Sequence, residues 1–244
     1  MKILVINKSG NVGKTTLAQE FLHPRLNNPI SARFETINAA GDKQADIQQR
    51  AAEFRQFVEQ FMLEDVDVIA DVGSSNVESI LEKLVEIEGA IHMFDAAVIP
   101  VTAEIKIQID TVSMVQDLLD LGFPAEKIFV VTNMVPASIL RDKNAEALIQ
   151  DQFYKVINEC HAMGVAVVGH IVRSDVFETA FTMQERVEDL ASIDPQAAKA
   201  AAQEAKAAGD ETETRRLTRV MTSAMMAKPV KANLDSVFLK LNLA

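Results

Sequence analysis

The sequence of 244 residues contains one cysteine, four histidines and no tryptophan. Cys160 has no second cysteine for an internal disulfide. The histidines lack metal-ligand spacing and no Gly-x-Ser-x-Gly elbow occurs, which argues against a zinc site and against hydrolase chemistry of the serine-nucleophile kind. No apolar run approaches the roughly 20 residues that span a bilayer, and the first residues do not follow a secretion-signal pattern. We therefore expect a cytoplasmic protein without a membrane span. A net charge of −11 argues against a surface that coats nucleic acid.

A glycine-bearing loop follows the first strand-like run. Residues 7–16, Asn-Lys-Ser-Gly-Asn-Val-Gly-Lys-Thr-Thr, lie between an apolar run at residues 3–6 and a helical pattern that begins at Leu17. This arrangement presents backbone N–H groups and the positive end of a helix dipole to an anion. We predict a phosphate-binding loop, with Lys14 as a candidate catalytic residue on the β- and γ-phosphates and Thr15 as a Mg²⁺ ligand. The candidate nucleotide-binding residues here are Ser9, Gly10, Asn11, Val12, Gly13, Lys14, Thr15 and Thr16.

The loop departs from the usual spacing. In G-x-x-x-x-G-K-[ST], the first glycine falls at the position of Lys8. The prediction therefore depends on Gly10, Gly13 and Lys14, and on the strand and helix around them. The alternative is a solvated turn that contains Gly-Lys-Thr-Thr by chance.

A second apolar run, residues 66–72, carries Asp71 near its end and is followed by Gly73. A buried parallel strand delivers a carboxylate in this way to the edge of the sheet where α/β proteins bind ligands. We predict that Asp71 accepts from a Mg²⁺-bound water, the Walker B role, which makes it a candidate catalytic and metal-site residue.

A polar turn at residues 39–42 follows the strand predicted at residues 30–37. It occupies the place of a first switch loop, so Glu35, Asn38 and Asp42 are candidates there, and Asp42 is the candidate catalytic residue. The alternative is that Asp42 caps a helix whose apolar positions begin at Ile47 and continue to Phe61.

The whole pattern predicts an α/β fold, with six strands separated by helices in a doubly wound, mostly parallel sheet. The nucleotide-binding core is predicted at residues 1–182, a helical insertion at 183–230, and a C-terminal helix that packs on the core at 231–244. Residues 194–208 are alanine-rich and predict an exposed helix that begins at Pro195.

The last 31 residues reverse the sign of the overall charge. Between Thr214 and Ala244 there are six basic residues and one acidic residue. This segment is the candidate for non-specific DNA contact, because phosphate attraction dominates such binding. The alternative is a solvated helix whose arginines pair with the acidic body of the protein. The basic residues are Arg215, Arg216, Arg219, Lys228, Lys231 and Lys240.

Several of these motifs together resemble the ParA/MinD family of deviant-Walker P-loop ATPases. They are the phosphate loop, Asp71-Val72-Gly73, the run Ile-Pro-Val-Thr at residues 99–102, and Thr132-Asn133, and the resemblance covers most of the chain. The N-terminal motif, with Glu-Thr-Ile-Asn-Ala at residues 35–39, looks most like the StbB-type plasmid stability proteins of conjugative plasmids. The resemblance implies ATP and Mg²⁺ as cofactors and contact between Asn133 and the adenine.

The same resemblance implies a nucleotide-dependent homodimer, a plasmid-encoded DNA-binding partner, and a role in plasmid stability, partition or conjugative transfer. The family's signature lysine, five residues before the loop lysine, is Ser9 here, and Lys8 is the nearest substitute. The paired aspartates after the second strand are also absent, so we expect weak ATPase activity. The alternatives are a P-loop small-molecule kinase or ligase, for which the sequence offers no clear acid–base set, and a nucleotide-binding module with little hydrolysis.

Overall fold

The computed structural model describes residues 1–35 and 47–243. Within them, seven strands form one sheet in the order β3-β2-β4-β1-β5-β6-β7, and every neighbouring pair is parallel. The predicted doubly wound α/β class is therefore confirmed, with one strand more than the six predicted. The strands are β1 (Lys2–Val5), β2 (Ile30–Phe34), β3 (Ile47–Gln49), β4 (Val68–Val72), β5 (Ala96–Val101), β6 (Ile128–Val135) and β7 (Ala166–Val172).

Helices connect β1 to β2 and link the strands from β3 to β7, as parallel pairing requires. The phosphate-loop helix begins as α1 (Lys14–Thr16), continues as a π-helical segment (Leu17–Leu22), and ends in a 3₁₀ turn (His23–Arg25) that contains Pro24. The remaining helices of the sheet-bearing unit are α2 (Phe54–Phe61), α3 (Val77–Glu86), α4 (Ile105–Asp120), α5 (Ala137–Leu140), α6 (Ala145–Gln152) and α7 (Tyr154–Ala162).

One interpretation of local structure is wrong. Ile47 does not belong to a helix: it lies in β3, where it pairs with Ala32 of β2 at the edge of the sheet. Ile47 lies seven residues before Phe54, a spacing that is typical of one helix face. In the structure, however, residues 47–49 pair with β2 as a short edge strand. Farther along the chain, two helices meet at Phe153, where α6 ends and α7 begins.

The chain separates into two compact units, one formed by Met1–Val172 and Val237–Ala244 and the other by Arg173–Ser236. The second unit is helical and contains α8 (Val176–Met183), α9 (Val187–Ser192), α10 (Pro195–Ala207) and most of α11 (Glu211–Leu241). The predicted helix at Pro195 is present. Asp194 caps it, because its side chain accepts a hydrogen bond of 3.0 Å from the Gln196 N–H.

The central strands are buried on both faces, as expected for a parallel sheet with helices against it. Every residue of β4 and β5 is buried. On one side of the sheet, phenylalanine rings form a continuous cluster in which Phe57 packs edge-on against Phe34, with 5.2 Å between ring centroids. This packing joins β2 to α2, and the candidate site lies at the C-terminal ends of the neighbouring strands β1 and β4.

Candidate nucleotide-binding site

The candidate site lies where β1 and β4 end side by side. Val5 of β1 is in register with Asp71 of β4, so the loop that follows β1 passes directly beside the Asp71 carboxylate. In open α/β sheets, ligands bind outside this carboxyl edge of the strands.

Two residues in left-handed conformations shape the loop. Asn11 has a φ of 56° and Gly13 a φ of 86°. A Cβ at Gly13 would overlap the Asn133 amide, which donates a hydrogen bond of 2.9 Å to the Val12 carbonyl. Gly13 is therefore required both by its φ and by the close approach of Asn133. Asn133, predicted to contact adenine, supports the loop backbone in this structure.

Lys14 is folded back onto its own loop. Its ammonium donates to the carbonyls of Ser9 (2.7 Å) and Asn7 (3.2 Å), and the residue is buried. Burial lowers the pKa of Lys14 below its ordinary value, while the charges of Asp71 and Glu35 oppose that shift. A cation is thus held inside the loop on neutral acceptors that an anionic ligand could replace.

Thr15 and Asp71, both predicted for a Mg²⁺ site, are hydrogen-bonded to each other. The Thr15 hydroxyl donates to Asp71 Oδ2 at 2.7 Å. Burial raises the pKa of Asp71, and the Thr15 hydrogen bond and the charges of Arg33 and Lys14 act in the opposite direction. The pair presents a hydroxyl and a carboxylate, the oxygen ligands that Mg²⁺ prefers.

A cavity of about 470 Å³ opens between these groups. This volume lies within the range of small-molecule and cofactor sites. Most of the predicted phosphate-loop residues line it, together with Asp71. The lining residues are Gly10, Asn11, Val12, Gly13, Lys14, Thr15, Thr16, Glu35, Asp71, Gly73, Ser74 and Met134.

The donor set fits a nucleoside triphosphate with Mg²⁺. The left-handed loop, the inward-folded Lys14 and the Thr15–Asp71 pair offer a backbone cradle, a cation and two oxygen ligands on one cavity wall. The part of the chain that the structure describes contains no group of three or more His, Cys, Asp or Glu side chains placed to hold a metal alone. A divalent cation here would need phosphate oxygens to complete its coordination.

The beginning of the loop is tied to α4 by three successive side chains. The Asn7 amide donates to Thr111 at 2.8 Å, Lys8 pairs with Asp117 at 2.5 Å, and the Ser9 hydroxyl donates to Asp110 at 2.6 Å. Lys8 also donates to Ser113 at 2.7 Å. Ser9 occupies the signature-lysine position and Lys8 lies beside it. Both side chains are therefore bonded to residues of their own chain.

The structure brings together Lys14, Thr15, Asp71 and the loop residues, as the sequence pattern indicated. Asn38 and Asp42 lie outside the described residues, so the catalytic role of Asp42 stays a prediction. Arg33 was missed. It lies in β2, is 4% exposed, and its Nε donates to Asp71 Oδ2 at 3.2 Å. A charged residue within a strand expected to be buried was the available signal, since such a charge requires a partner.

The basic segment pairs mainly with acids of its own unit. Arg216 donates two hydrogen bonds of 2.7 Å to Glu213, and Arg215 lies 3.5 Å from Glu211. Lys231 contacts Glu188 at 3.2 Å and Asp235 at 2.7 Å. Glu211 and Glu213 lie just before the segment counted from Thr214, which reduces the local excess of positive charge on α11. These contacts favour the alternative in which the basic side chains are paired with acids, while other residues of α11, such as Ala227 and Leu234, are buried.

Comparison with known proteins gives structural matches alone: no protein-family model matches the sequence, and no curated protein does. MinD from Aquifex aeolicus matches with a TM-score of 0.51 at 13% identity, over 92% of this chain and 96% of that one. MinD from Pyrococcus horikoshii, solved with Mg-ADP, matches with 0.52 at 12%, over 97% and 96%. The chain has the MinD/ParA fold. At these sequence identities the likeness concerns the fold alone. Separately, none of the helices in the described residues has the length and hydrophobicity of a membrane span.

A further match is the MinC:MinD complex from Aquifex aeolicus, with a TM-score of 0.53 at 13% identity over 92% of this chain and 95% of that one. All three matches extend along nearly the whole of both chains. The MinD-type core is therefore represented here almost in full.

Proposed function

We propose that this protein is an ATP-binding switch ATPase of the ParA/MinD type. The observation that carries the proposal is the convergence of Lys14, Thr15 and Asp71 on one cavity beneath a loop with left-handed residues. This is the arrangement that holds a triphosphate with Mg²⁺ in P-loop proteins. The MinD/ParA fold supports the same assignment.

Each residue has a role that its present contacts support. Loop N–H groups and Lys14 would bind the β- and γ-phosphates, with the Lys14 ammonium leaving the Ser9 carbonyl for a charged acceptor. Thr15 and Asp71 would hold Mg²⁺, which neutralises charge that develops on the transferred phosphoryl group. Asn133 keeps the loop in its binding conformation through the Val12 carbonyl. Asp42 is the candidate for orienting the attacking water.

We further propose the plasmid-level role that the motifs suggest: plasmid stability, partition or conjugative transfer, like that of the StbB-type proteins. In this role the protein would form a nucleotide-dependent homodimer and act with a plasmid-encoded DNA-binding partner. The MinC:MinD complex provides a precedent on this fold for a partner protein. Direct DNA contact through the basic segment of α11 is the less favoured alternative, because Arg215 and Arg216 already pair with Glu211 and Glu213.

A second candidate, a nucleotide-binding module with little hydrolysis, is favoured by one specific observation. Lys8 and Ser9 are held by Asp117 and Asp110 of their own α4. A lysine already in an ion pair must give up that pair before it can contact another subunit's phosphates. Turnover would then be slow unless a partner releases Lys8.

Isothermal titration with ATP and Mg²⁺, followed by a phosphate-release assay, tests both candidates. We expect wild type to bind ATP. In Asp71→Ala, we expect Mg²⁺ to produce no increase in ATP affinity. Phosphate release that rises with DNA or a partner supports the switch ATPase, and binding without release under every condition supports the module. Asp95→Ala is the control, because the Asp95 carboxylate accepts a hydrogen bond from the Lys2 N–H and does not line the cavity. No ATP binding by folded wild type would refute both candidates.

A further inference from the structure

Arg33 is the one charged residue of β2, and it lies beside the proposed metal-site carboxylate. The register between β2 and β4 places Arg33 opposite Asp71, and the side chains of both are at most 6% exposed. In-register residues on parallel neighbours point to the same face of the sheet. The position of Arg33 is therefore fixed by the two strands and does not depend on a surface loop.

The contact involves the same oxygen that Thr15 uses. Asp71 Oδ2 accepts from Thr15 Oγ1 at 2.7 Å and from Arg33 Nε at 3.2 Å. A guanidinium stays protonated at any pH of biological interest, so this positive charge is permanent. The site thus carries two cations, Lys14 and Arg33, against the carboxylates of Asp71 and Glu35, before any ligand arrives.

We propose that Arg33 is a built-in counter-cation of the phosphate site. It positions Asp71 and balances its charge, and it thereby reduces the increase in ATP affinity that Mg²⁺ produces. The inference rests on the proposed nucleotide function. Mg²⁺ would approach a carboxylate whose charge Arg33 already balances, and it would meet a like charge there. Without Mg²⁺, Arg33 offsets the repulsion that Asp71 would otherwise exert on phosphate oxygens.

The measured quantity is the ratio of the ATP dissociation constant in EDTA to that in Mg²⁺, by isothermal titration at constant pH and ionic strength. We expect a wild-type ratio below about tenfold, and a ratio about tenfold higher in Arg33→Met, which corresponds to about 1.4 kcal/mol. Arg33→Lys keeps a positive charge and should remain within about threefold of wild type. A purely structural role would weaken binding equally in both conditions and leave the ratio unchanged.

A double-mutant cycle with Asp71→Asn tests whether Arg33 acts through Asp71. We expect Arg33→Met to change the ratio by less than about threefold in the Asp71→Asn background. Removing both charges also leaves no uncompensated buried ion, so the effect of Arg33→Met in the Asp71→Asn background, and that of Arg33→Lys in wild type, remain measurable if Arg33→Met alone fails to fold. Thermal unfolding in the presence of ATP should show Mg²⁺ stabilising Arg33→Met more than wild type.

Three outcomes would overturn the inference. They are a ratio unchanged by Arg33→Met, an equal change in both backgrounds, and a wild-type affinity that falls more than a hundredfold in EDTA. The last of these needs no variant. Absence of ATP binding in folded wild type refutes the proposed function instead, so the two failures are distinguishable.

Discussion

Replacement of Gly13 by alanine tests the geometry of the loop, because the chain offers a matched control. Gly13 and Gly89 have nearly the same φ, 86° and 80°. A Cβ at Gly13 overlaps the Asn133 amide, whereas one at Gly89 meets nothing within 4 Å. Both variants incur the strain of a left-handed alanine and the same change in unfolded-chain entropy, so their difference isolates the contact with Asn133.

The magnitude follows from the contacts that must be given up. A left-handed alanine costs about 1–2 kcal/mol, which is the whole expected loss for Gly89→Ala. In Gly13→Ala, Asn133 must also move and lose its buried hydrogen bond to the Val12 carbonyl, which adds about 1–3 kcal/mol. We therefore expect a loss of about 2–5 kcal/mol for Gly13→Ala.

Urea unfolding measures both variants on one scale, since the slope should be unchanged and the midpoint shifts. ATP affinity should fall in Gly13→Ala and remain at the wild-type value in Gly89→Ala. If the two variants lose the same stability within about 0.5 kcal/mol, Asn133 does not constrain the loop, and the reasoning is wrong.

Three further outcomes are expected. Lys14→Ala should lower ATP affinity by at least about a hundredfold, the value of two charge-assisted hydrogen bonds, and unchanged titration of the folded variant would contradict the loop assignment. Charge reversal of Arg215, Arg216 and Arg219 should change DNA retention at low salt little, since Glu211 and Glu213 already pair with two of them; a large loss in a gel-shift titration would assign DNA contact to α11. Burial, and then the charge of Lys240, lower the pKa of His170 while Glu146 opposes them, so the unfolded chain binds more protons below about pH 6.5; wild type should lose stability relative to His170→Asn as the pH falls from 7 to 5, and parallel pH profiles would contradict this.

The sequence was sufficient for features that depend on neighbouring residues. The loop with Lys14 and Thr15 follows the first strand directly. The buried, apolar run of β4 predicts a parallel strand, with Asp71 near its C-terminal end. Features that depend on strand order were not accessible. Arg33 reaches Asp71 because β2 lies next to β4, although 38 residues separate them along the chain. A single sequence shows that a buried arginine needs a partner, but it does not say which carboxylate provides it.

The same reasoning explains how a phosphate loop can form without its usual first glycine. Lys8 occupies that position, and its side chain extends to α4, where it pairs with Asp117. Asn7 and Ser9 on either side also bond to α4, through Thr111 and Asp110. Three consecutive side chains thus fix a backbone that a glycine would leave free to bend. Because the loop and α4 share these contacts, a ligand that draws Lys8 or Ser9 toward itself must release polar groups on α4. Under the proposed function, nucleotide binding that drew Lys8 toward the phosphates would act on α4 through a contact that a glycine at this position could not make.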